Sequence, residues 1–172
     1  MKKLKSLTLN GIWHKDFAEV LFDMASQKRI KRLSLGFVPD LQLPSFCEAL
    51  MKFKSLESLS LTQINLSRIN ESMFFEFIKT SRLRSLSLTK IEVSSQFATL
   101  LNTVRISHTI REFKLAEIPI QIEHRIDRLK AFLDDSAHVL QKLTLQSNKM
   151  NSLDFLQAIP DNCNLQILEI ID

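Results

Sequence analysis

A short pattern of hydrophobic and polar positions recurs along the whole chain. An apolar residue is followed by two variable residues, then Leu or Phe, one variable residue, and Leu or Ile. The seven occurrences are Leu4-Leu7-Leu9, Ile30-Leu33-Leu35, Leu56-Leu59-Leu61, Leu83-Leu86-Leu88, Ile110-Phe113-Leu115, Leu140-Leu143-Leu145 and Leu165-Leu168-Ile170. They start at residues 4, 30, 56, 83, 110, 140 and 165, so successive starts lie 26, 26, 27, 27, 30 and 25 residues apart. A period of this length is typical of a repeat protein.

Each repeat predicts a strand followed by a helix. The last two apolar positions of the pattern alternate with polar residues, which is the period of a half-buried strand. Between the strands, apolar residues recur at helical spacing, from Phe17, Val20, Leu21 and Met24 in the first repeat to Leu153, Leu156 and Ile159 in the sixth. Units of this length predict parallel strands joined by right-handed crossovers. The expected fold class is α/β. We expect a single domain over residues 1–172, a right-handed βα solenoid with a parallel concave sheet of about seven strands and convex helices.

The spacing L-x-x-L-x-L resembles the leucine-rich repeat, and the resemblance covers essentially the whole chain. Repeats of this length with a real helix are similar to the ribonuclease-inhibitor-like class, which includes Ran GTPase-activating proteins and the repeats of F-box adaptors. The resemblance implies a leucine-rich-repeat horseshoe. The family usually places Asn or Cys three residues after the last strand leucine, and here only Asn148 in the sixth repeat matches. The equivalent residues elsewhere predict turns held by apolar packing, and they are Ile12, Val38, Ile64, Ile91 and Ile118.

The residues that flank the core leucines of each strand predict a partner-binding surface. Side chains alternate across a strand, so these residues are expected on the concave face. The expected partner-binding residues are Arg32, Ser34, Ser58, Ser60, Thr62, Ser85, Ser87, Thr89, Glu112, Lys114, Lys142, Thr144 and Gln146. Two interpretations of the small hydroxyls stay open. They form a shallow hydrogen-bonding groove for a protein, or they bond to one another across the strands of a crowded sheet.

Lysines and arginines cluster around the start of the early strands and predict a basic rim. The rim comprises Lys2, Lys3, Lys5, Lys28, Arg29, Lys31, Lys54, Arg82 and Arg84. Residues 1–86 contain 14 Lys and Arg against 8 Asp and Glu, whereas residues 87–172 contain 9 against 11. An acidic protein or an anionic membrane surface would suit such a rim, and a solvated edge that resists aggregation is the alternative. Nucleic acid is disfavoured because no aromatic residues interleave with the basic ones.

Signatures of catalysis and metal binding are absent from the sequence. Two glycines cannot make a glycine-rich phosphate loop. None of the four histidines stands near a cysteine at metal-ligand spacing. Cys47 and Cys163 are far apart in the sequence and are interpreted as free thiols. We therefore expect no enzymatic activity, no cofactor and no bound metal.

These patterns predict a non-enzymatic scaffold that binds a protein partner, of unknown identity, through the concave face and the basic rim. One alternative is a regulator or adaptor fragment that acts on a GTPase or a ubiquitin ligase, and another is association with an anionic membrane surface. No apolar run reaches the roughly 18–20 residues of a membrane span, so we expect no transmembrane segment. Free thiols are typical of a reducing compartment, so we expect a cytoplasmic location. The composition also resembles that of repeat proteins which intracellular bacteria deliver into host cells. Such an effector would act in the host cytosol.

The apolar segment 165–171 predicts an edge strand. Unpaired apolar edge strands associate readily with other strands. Three outcomes are open for this segment. The chain is part of a longer solenoid, it self-associates edge to edge through residues 165–171, or the bare edge is tolerated.

Overall fold

The computed structural model describes residues 4–11, 17–26, 29–37, 43–64, 71–91, 97–117, 125–136, 139–146, 159 and 165–171. The strands are β1 (Ser6–Asn10), β2 (Arg32–Gly36), β3 (Ser58–Thr62), β4 (Ser85–Thr89), β5 (Glu112–Ala116), β6 (Lys142–Gln146) and β7 (Ile167–Ile171). The helices are α1 (Phe17–Ser26), α2 (Leu43–Lys52), α3 (Glu71–Thr80), α4 (Phe97–Ile106) and α5 (Arg125–Ser136). This order confirms the predicted strand–helix repeat. The predicted helix of the sixth repeat lies outside the described residues, apart from Ile159.

The strands form one all-parallel sheet in sequence order, β1-β2-β3-β4-β5-β6-β7. The register pairs equivalent positions of neighbouring repeats, for example Leu33 with Leu59 and Leu59 with Leu86. The offset between partners therefore equals the spacing of the repeats. Residues at one repeat position consequently form a continuous row across the sheet.

One face of the sheet is buried beneath the helices. The second and fourth residues of β2 to β6 point into this core, as Leu33, Leu59 and Leu86 illustrate. The helices contribute large apolar side chains to the same cluster, and these include Phe46, Leu50, Phe74, Phe77, Ile78, Leu100, Phe132 and Leu133. Burying one such side chain stabilises the fold by about 1.5–3 kcal/mol. None of the helices among the described residues is long and apolar enough to cross a membrane.

The turns that follow two central strands are closed by apolar packing. Ile64 and Ile91 are buried in the main hydrophobic cluster, as the sequence predicts for this position of the repeat. Both follow their strands by only two residues, so they anchor the chain as it leaves the sheet. The equivalent Ile12, Val38 and Ile118, and also Asn148, lie outside the described residues.

The ends of the sheet are less well covered than its centre. Leu7 and Leu9 of β1, like Leu168 and Ile170 of β7, are only partly buried, because each edge strand has one strand neighbour. Val20 departs from the predicted helical core face, since 44% of its surface is exposed. Among the described helices, α1 packs mainly against α2, so one of its flanks is left open.

Backbone hydrogen bonds join neighbouring strands at their starts throughout the sheet, and at their ends from β1 to β6. The carbonyl oxygen of Glu57, just before β3, accepts from the amides of Arg84 (2.7 Å) and Ser85 (3.1 Å), and this arrangement recurs along the sheet. Just after β3, the amide of Gln63 donates to the carbonyl oxygen of Thr89 at 2.9 Å. The residue after each of the first five strands has a positive φ, namely Gly11 (65°), Phe37 (55°), Gln63 (55°), Lys90 (53°) and Glu117 (51°). This left-handed turn directs the chain out of the sheet towards the helices.

Candidate functional site

The face of the sheet turned away from the helices is called here the open face. It is formed by the first, third and fifth residues of every strand, because side chains alternate across a strand. The residues predicted to bind a partner all occupy these positions, from Arg32 in β2 to Gln146 in β6. The register brings them together in three parallel rows, so the predicted set forms one continuous surface.

Six small hydroxyl residues occupy the centre of the open face and are called here the hydroxyl floor. The register pairs Ser58 with Ser85, Ser60 with Ser87 and Thr62 with Thr89. All six side chains are half-buried. None of their hydroxyls forms a hydrogen bond with another residue that the structure describes. The cross-strand hydroxyl bonds that were one expectation from the sequence are therefore not seen among the described residues of β3 and β4, and the six side chains stay partly accessible to solvent.

Charged residues flank the hydroxyl floor on both sides. Arg32 lies exposed on the β2 side, next to the half-buried Ser34. Glu112 is exposed and Lys114 half-buried on the β5 side. The hydroxyl floor is thus bordered by one cation, Arg32, on the side towards β1. On the side towards β7 it is bordered by an anion, Glu112, and a cation, Lys114.

The open face of β6 and β7 is organised around Glu169. The Lys142 Nζ donates to Glu169 Oε1 at 2.7 Å, and the Thr144 hydroxyl donates to Glu169 Oε2 at 2.8 Å. The hydrogen bonds from Lys142 and Thr144 hold the pKa of the Glu169 carboxyl below its usual range, with the positive charge of Lys114 helping and partial desolvation opposing. Thr144 is only 4% exposed, so it is the least accessible of the predicted partner-binding residues.

Two isoleucines frame this charged group on β7. Ile167 is 47% exposed and Ile171 is 44% exposed, and both lie on the open face beside Glu169. Gln146 of β6 is half-buried and is the register partner of Ile171. The terminal part of the open face therefore combines a bonded ion pair with accessible apolar surface.

The basic rim lies at the edge of the sheet where the strands begin. Its described members are all exposed, and they are Lys5, Arg29, Lys31, Lys54, Arg82 and Arg84. Lys2, Lys3 and Lys28 lie outside the described residues. The residues that immediately precede the strands form one stacked row, called here the rim column, which runs Lys5, Lys31, Glu57, Arg84, Arg111, Gln141 and Gln166.

One acidic residue, Glu57, interrupts the cations of the rim column. The Lys31 Nζ donates to Glu57 Oε1 at 2.5 Å across neighbouring strands. This hydrogen bond lowers the pKa of the Glu57 carboxyl, and the positive charges of Lys31, Arg84 and Arg32 lower it further against a partial desolvation. The carboxylate of Glu57 is therefore held ionised within a positive surrounding.

The sequence reasoning missed the ion pairs between neighbouring repeats. Lys31 pairs with Glu57, Lys90 pairs with Glu117 at 3.1 Å, and Lys142 pairs with Glu169. The first two pairs join equivalent positions of adjacent repeats, 26 and 27 residues apart, which are the local repeat spacings. These two pairs can therefore be predicted from opposite charges that lie one repeat apart in the sequence.

Groups suited to chemistry are sparse among the described residues. Burial, with a smaller contribution from the Glu48 carboxylate, raises the pKa of the Cys47 thiol to about 12, so this cysteine stays protonated in the core. No group of three or more His, Cys, Asp and Glu residues in the described part of the chain could hold a metal ion. A groove of about 190 Å³ between α4 and α5 is mostly apolar, with Arg105 and Asn102 bonded to each other at its edge.

Comparisons with known proteins return nothing similar. No protein-family model matches the chain, and no curated protein and no solved structure matches it. The interpretation of the open face and the rim column therefore depends on their own side chains, register and charges.

Proposed function

We propose that this chain is a leucine-rich-repeat solenoid of the ribonuclease-inhibitor-like class and that it serves as a non-enzymatic scaffold for a protein partner. The partner lies across the open face and against the basic rim. Repeats of 25 to 30 residues, each with a strand in register with the next, support the family assignment. Solenoids recognise their partners through extended surfaces rather than through pockets.

The observation that carries the proposal is the set of six hydroxyls on β3 and β4 that form no hydrogen bond with another described residue. A hydroxyl both donates and accepts a hydrogen bond, so the six residues offer a partner either kind of contact. Their side chains are small, which lets a partner's backbone approach the sheet closely. Seven strands about 4.8 Å apart extend over roughly 30 Å, which is enough for the edge of a folded protein. The charges of Arg32, Glu112 and Lys114 at the two borders would orient that partner.

Blocking the centre of the open face tests the proposal. The double variant Ser60→Arg/Ser87→Arg places two long cations on the hydroxyl floor without touching the core. The control Ser45→Arg/Thr99→Arg makes the same charge change at exposed positions of α2 and α4. Partners captured by the wild-type chain are identified by mass spectrometry, purified and titrated by calorimetry. Circular dichroism and thermal unfolding establish that both variants fold.

We expect the blocked variant to bind its partner roughly a hundredfold more weakly, because central contacts dominate interface energies. The control variant should bind within about twofold of wild type, since it leaves the interface intact. A blocked variant that folds and binds as tightly as wild type would contradict the proposal.

A further inference from the structure

Two arginines stand side by side in the rim column. The Arg111 amide donates to the Arg84 carbonyl oxygen at 2.8 Å, so the two residues occupy neighbouring strands at the same register position. Both side chains are exposed. Arg82 is also exposed and precedes Arg84 by two residues. Strands lie about 4.8 Å apart, so the backbone holds like charges close together.

Elsewhere the sheet compensates charge between neighbouring repeats. Three lysine–glutamate pairs join adjacent repeats, Lys31–Glu57, Lys90–Glu117 and Lys142–Glu169. Opposite charges on adjacent strands stabilise a sheet, whereas like charges directly opposite each other destabilise it. Arg84 and Arg111 are neighbouring like charges, as Lys5 and Lys31 are, but neither arginine has an ion pair among the described residues of the kind that Lys31 forms with Glu57.

No acidic side chain of the described residues forms an ion pair with these arginines. Glu57, next to Arg84 in the rim column, has its carboxylate bonded to Lys31. Glu112, next to Arg111 in the sequence, lies on the open face and makes no ion pair within the described part of the chain. Among the described residues, the guanidinium groups therefore have no carboxylate bonded to them, although the charge of Arg84 acts on Glu57.

We propose that Arg82, Arg84 and Arg111 bind an extended acidic segment of the partner polypeptide. The inference rests on the proposed function and adds the chemistry of the partner. The guanidinium group presents a planar fork of N–H donors that matches a carboxylate in two parallel hydrogen bonds. The three arginines form a small cluster at one edge of the sheet, which fits the successive carboxylates of one extended chain, whereas a membrane offers a broad plane of charge. Ser85 directly follows Arg84, so a protein on the hydroxyl floor places its acidic segment against this cluster.

Binding of a fluorescein-labelled octaglutamate peptide to the full chain tests the inference by fluorescence anisotropy. The variant Arg84→Gln/Arg111→Gln removes the two guanidinium groups and keeps side chains of similar length. The matched control Lys79→Gln/Lys130→Gln removes two exposed helical cations, so both variants have the same net charge. We expect the arginine variant to bind roughly tenfold more weakly and the control within about twofold of wild type. Equal losses in both variants would overturn the inference, because net charge alone would then explain binding.

Two further probes distinguish the class of partner. Vesicles containing about 30 mol % phosphatidylserine present an anionic membrane, and oligo-deoxythymidine presents a nucleic acid. Octaglutamate binding that depends on the arginines and exceeds binding to either probe supports an acidic polypeptide. Arginine-dependent binding to vesicles or to oligo-deoxythymidine, with none to octaglutamate, overturns it.

The inference and the proposed function fail in different ways. Ser60→Arg/Ser87→Arg leaves the rim column intact, so it should bind octaglutamate at least as tightly as wild type does. One outcome would contradict the inference and support the proposed function. In that outcome the blocked variant loses the captured partner, whereas Arg84→Gln/Arg111→Gln keeps full affinity for both octaglutamate and that partner. Arginine-dependent binding of octaglutamate supports the inference even when the block leaves the captured partner bound.

Discussion

The centre and the β7 end of the open face share one backbone and differ in what their side chains bond to. On β3 and β4, six half-buried Ser and Thr side chains form no hydrogen bond with another described residue. On β6 and β7, Lys142 and Thr144 both bond to Glu169. The register is equally regular in both regions. The side chains alone therefore decide whether a region of this sheet bonds internally or presents its polar groups to a partner.

This difference shows why the position of a residue on the open face is not enough to predict its role. Ser87 and Thr144 lie in the same row of the sheet, and both were predicted to contact a partner. Ser87 keeps its hydroxyl accessible, whereas Thr144 lies beneath the Glu169 carboxylate and supports it. The centre is the better candidate for direct contact, and the β7 end is the better candidate for internal cohesion.

The largest effect is expected from the core layer beneath the two regions. Leu86 of β4 is completely buried, so Leu86→Ala should lower the free energy of unfolding by about 2–5 kcal/mol. Leu168 of β7 is only partly buried, so Leu168→Ala should cost about 1–2 kcal/mol. Urea denaturation of both variants measures the difference. Equal losses would mean that the edge strand is as well packed in solution as the centre.

Removing one hydroxyl from each region tests the contrast in hydrogen bonding. Thr144→Val deletes the donor to Glu169 at constant shape and should lower the free energy of unfolding by about 1 kcal/mol. Thr89→Val makes the same chemical change where no hydrogen bond to a described residue is lost, and should stay within about 0.5 kcal/mol of wild type. Chemical denaturation followed by tryptophan fluorescence measures both values. A larger loss for Thr89→Val would show that the central hydroxyls are structural after all.

Substitutions at the left-handed turns are expected to stabilise the fold, whereas the substitutions above are expected to destabilise it. Gln63 follows β3 at a φ of 55°, so Gln63→Gly should relieve backbone strain and raise the free energy of unfolding by about 0.5–1 kcal/mol. Glu117→Gly relieves a similar φ after β5 but also deletes the ion pair with Lys90, so its gain should be smaller. Differential scanning calorimetry measures the two midpoints. Destabilisation by Gln63→Gly would show that the Gln63 side chain matters more than its backbone angle.

The smallest effect is expected from the titration of Glu169. The pKa of its carboxyl is lower in the folded chain than the ordinary value of 4.5. Ionised Glu169 therefore contributes stability above that value, and the contribution disappears as the pH falls through the folded-state pKa. Wild type should be slightly more stable than Glu169→Gln at neutral pH, with the gap closing below about pH 4 in urea titrations. Ser87→Ala removes no ionisable group and should show no such closing, and a gap for Glu169→Gln that is independent of pH would refute the assigned role.

The sheet could be predicted from the sequence because the repeat spacing determines the register. Each predicted pair of strand leucines occupies the second and fourth positions of a strand, as Leu59 and Leu61 do in β3. Once the repeats are aligned, the rows of the open face follow from the alternation of side chains. The hydroxyl floor and the neighbouring arginines of the rim column could be predicted by the same reasoning.

Other features could not be predicted because they lack a local signal. Positive φ values usually coincide with Gly or Asn, yet Phe37, Gln63 and Lys90 adopt them here without either residue type. The tertiary hydrogen bonds after the strands impose this angle. The burial of Thr144 depends on Glu169, a full repeat away in the sequence. The exposure of Val20 depends on which helices pack beside α1.

The hydrogen bonds that join neighbouring strands at their starts, and at their ends from β1 to β6, have a consequence for how such a chain can evolve. The starts of β5 and β6 are 30 residues apart, whereas those of β6 and β7 are 25 apart, yet the register continues without a slip. Insertions and deletions are therefore confined to the crossovers and leave the rows of the open face in phase. Relatives of this protein can vary in length on the helical side while selection acts on partner recognition one surface residue at a time.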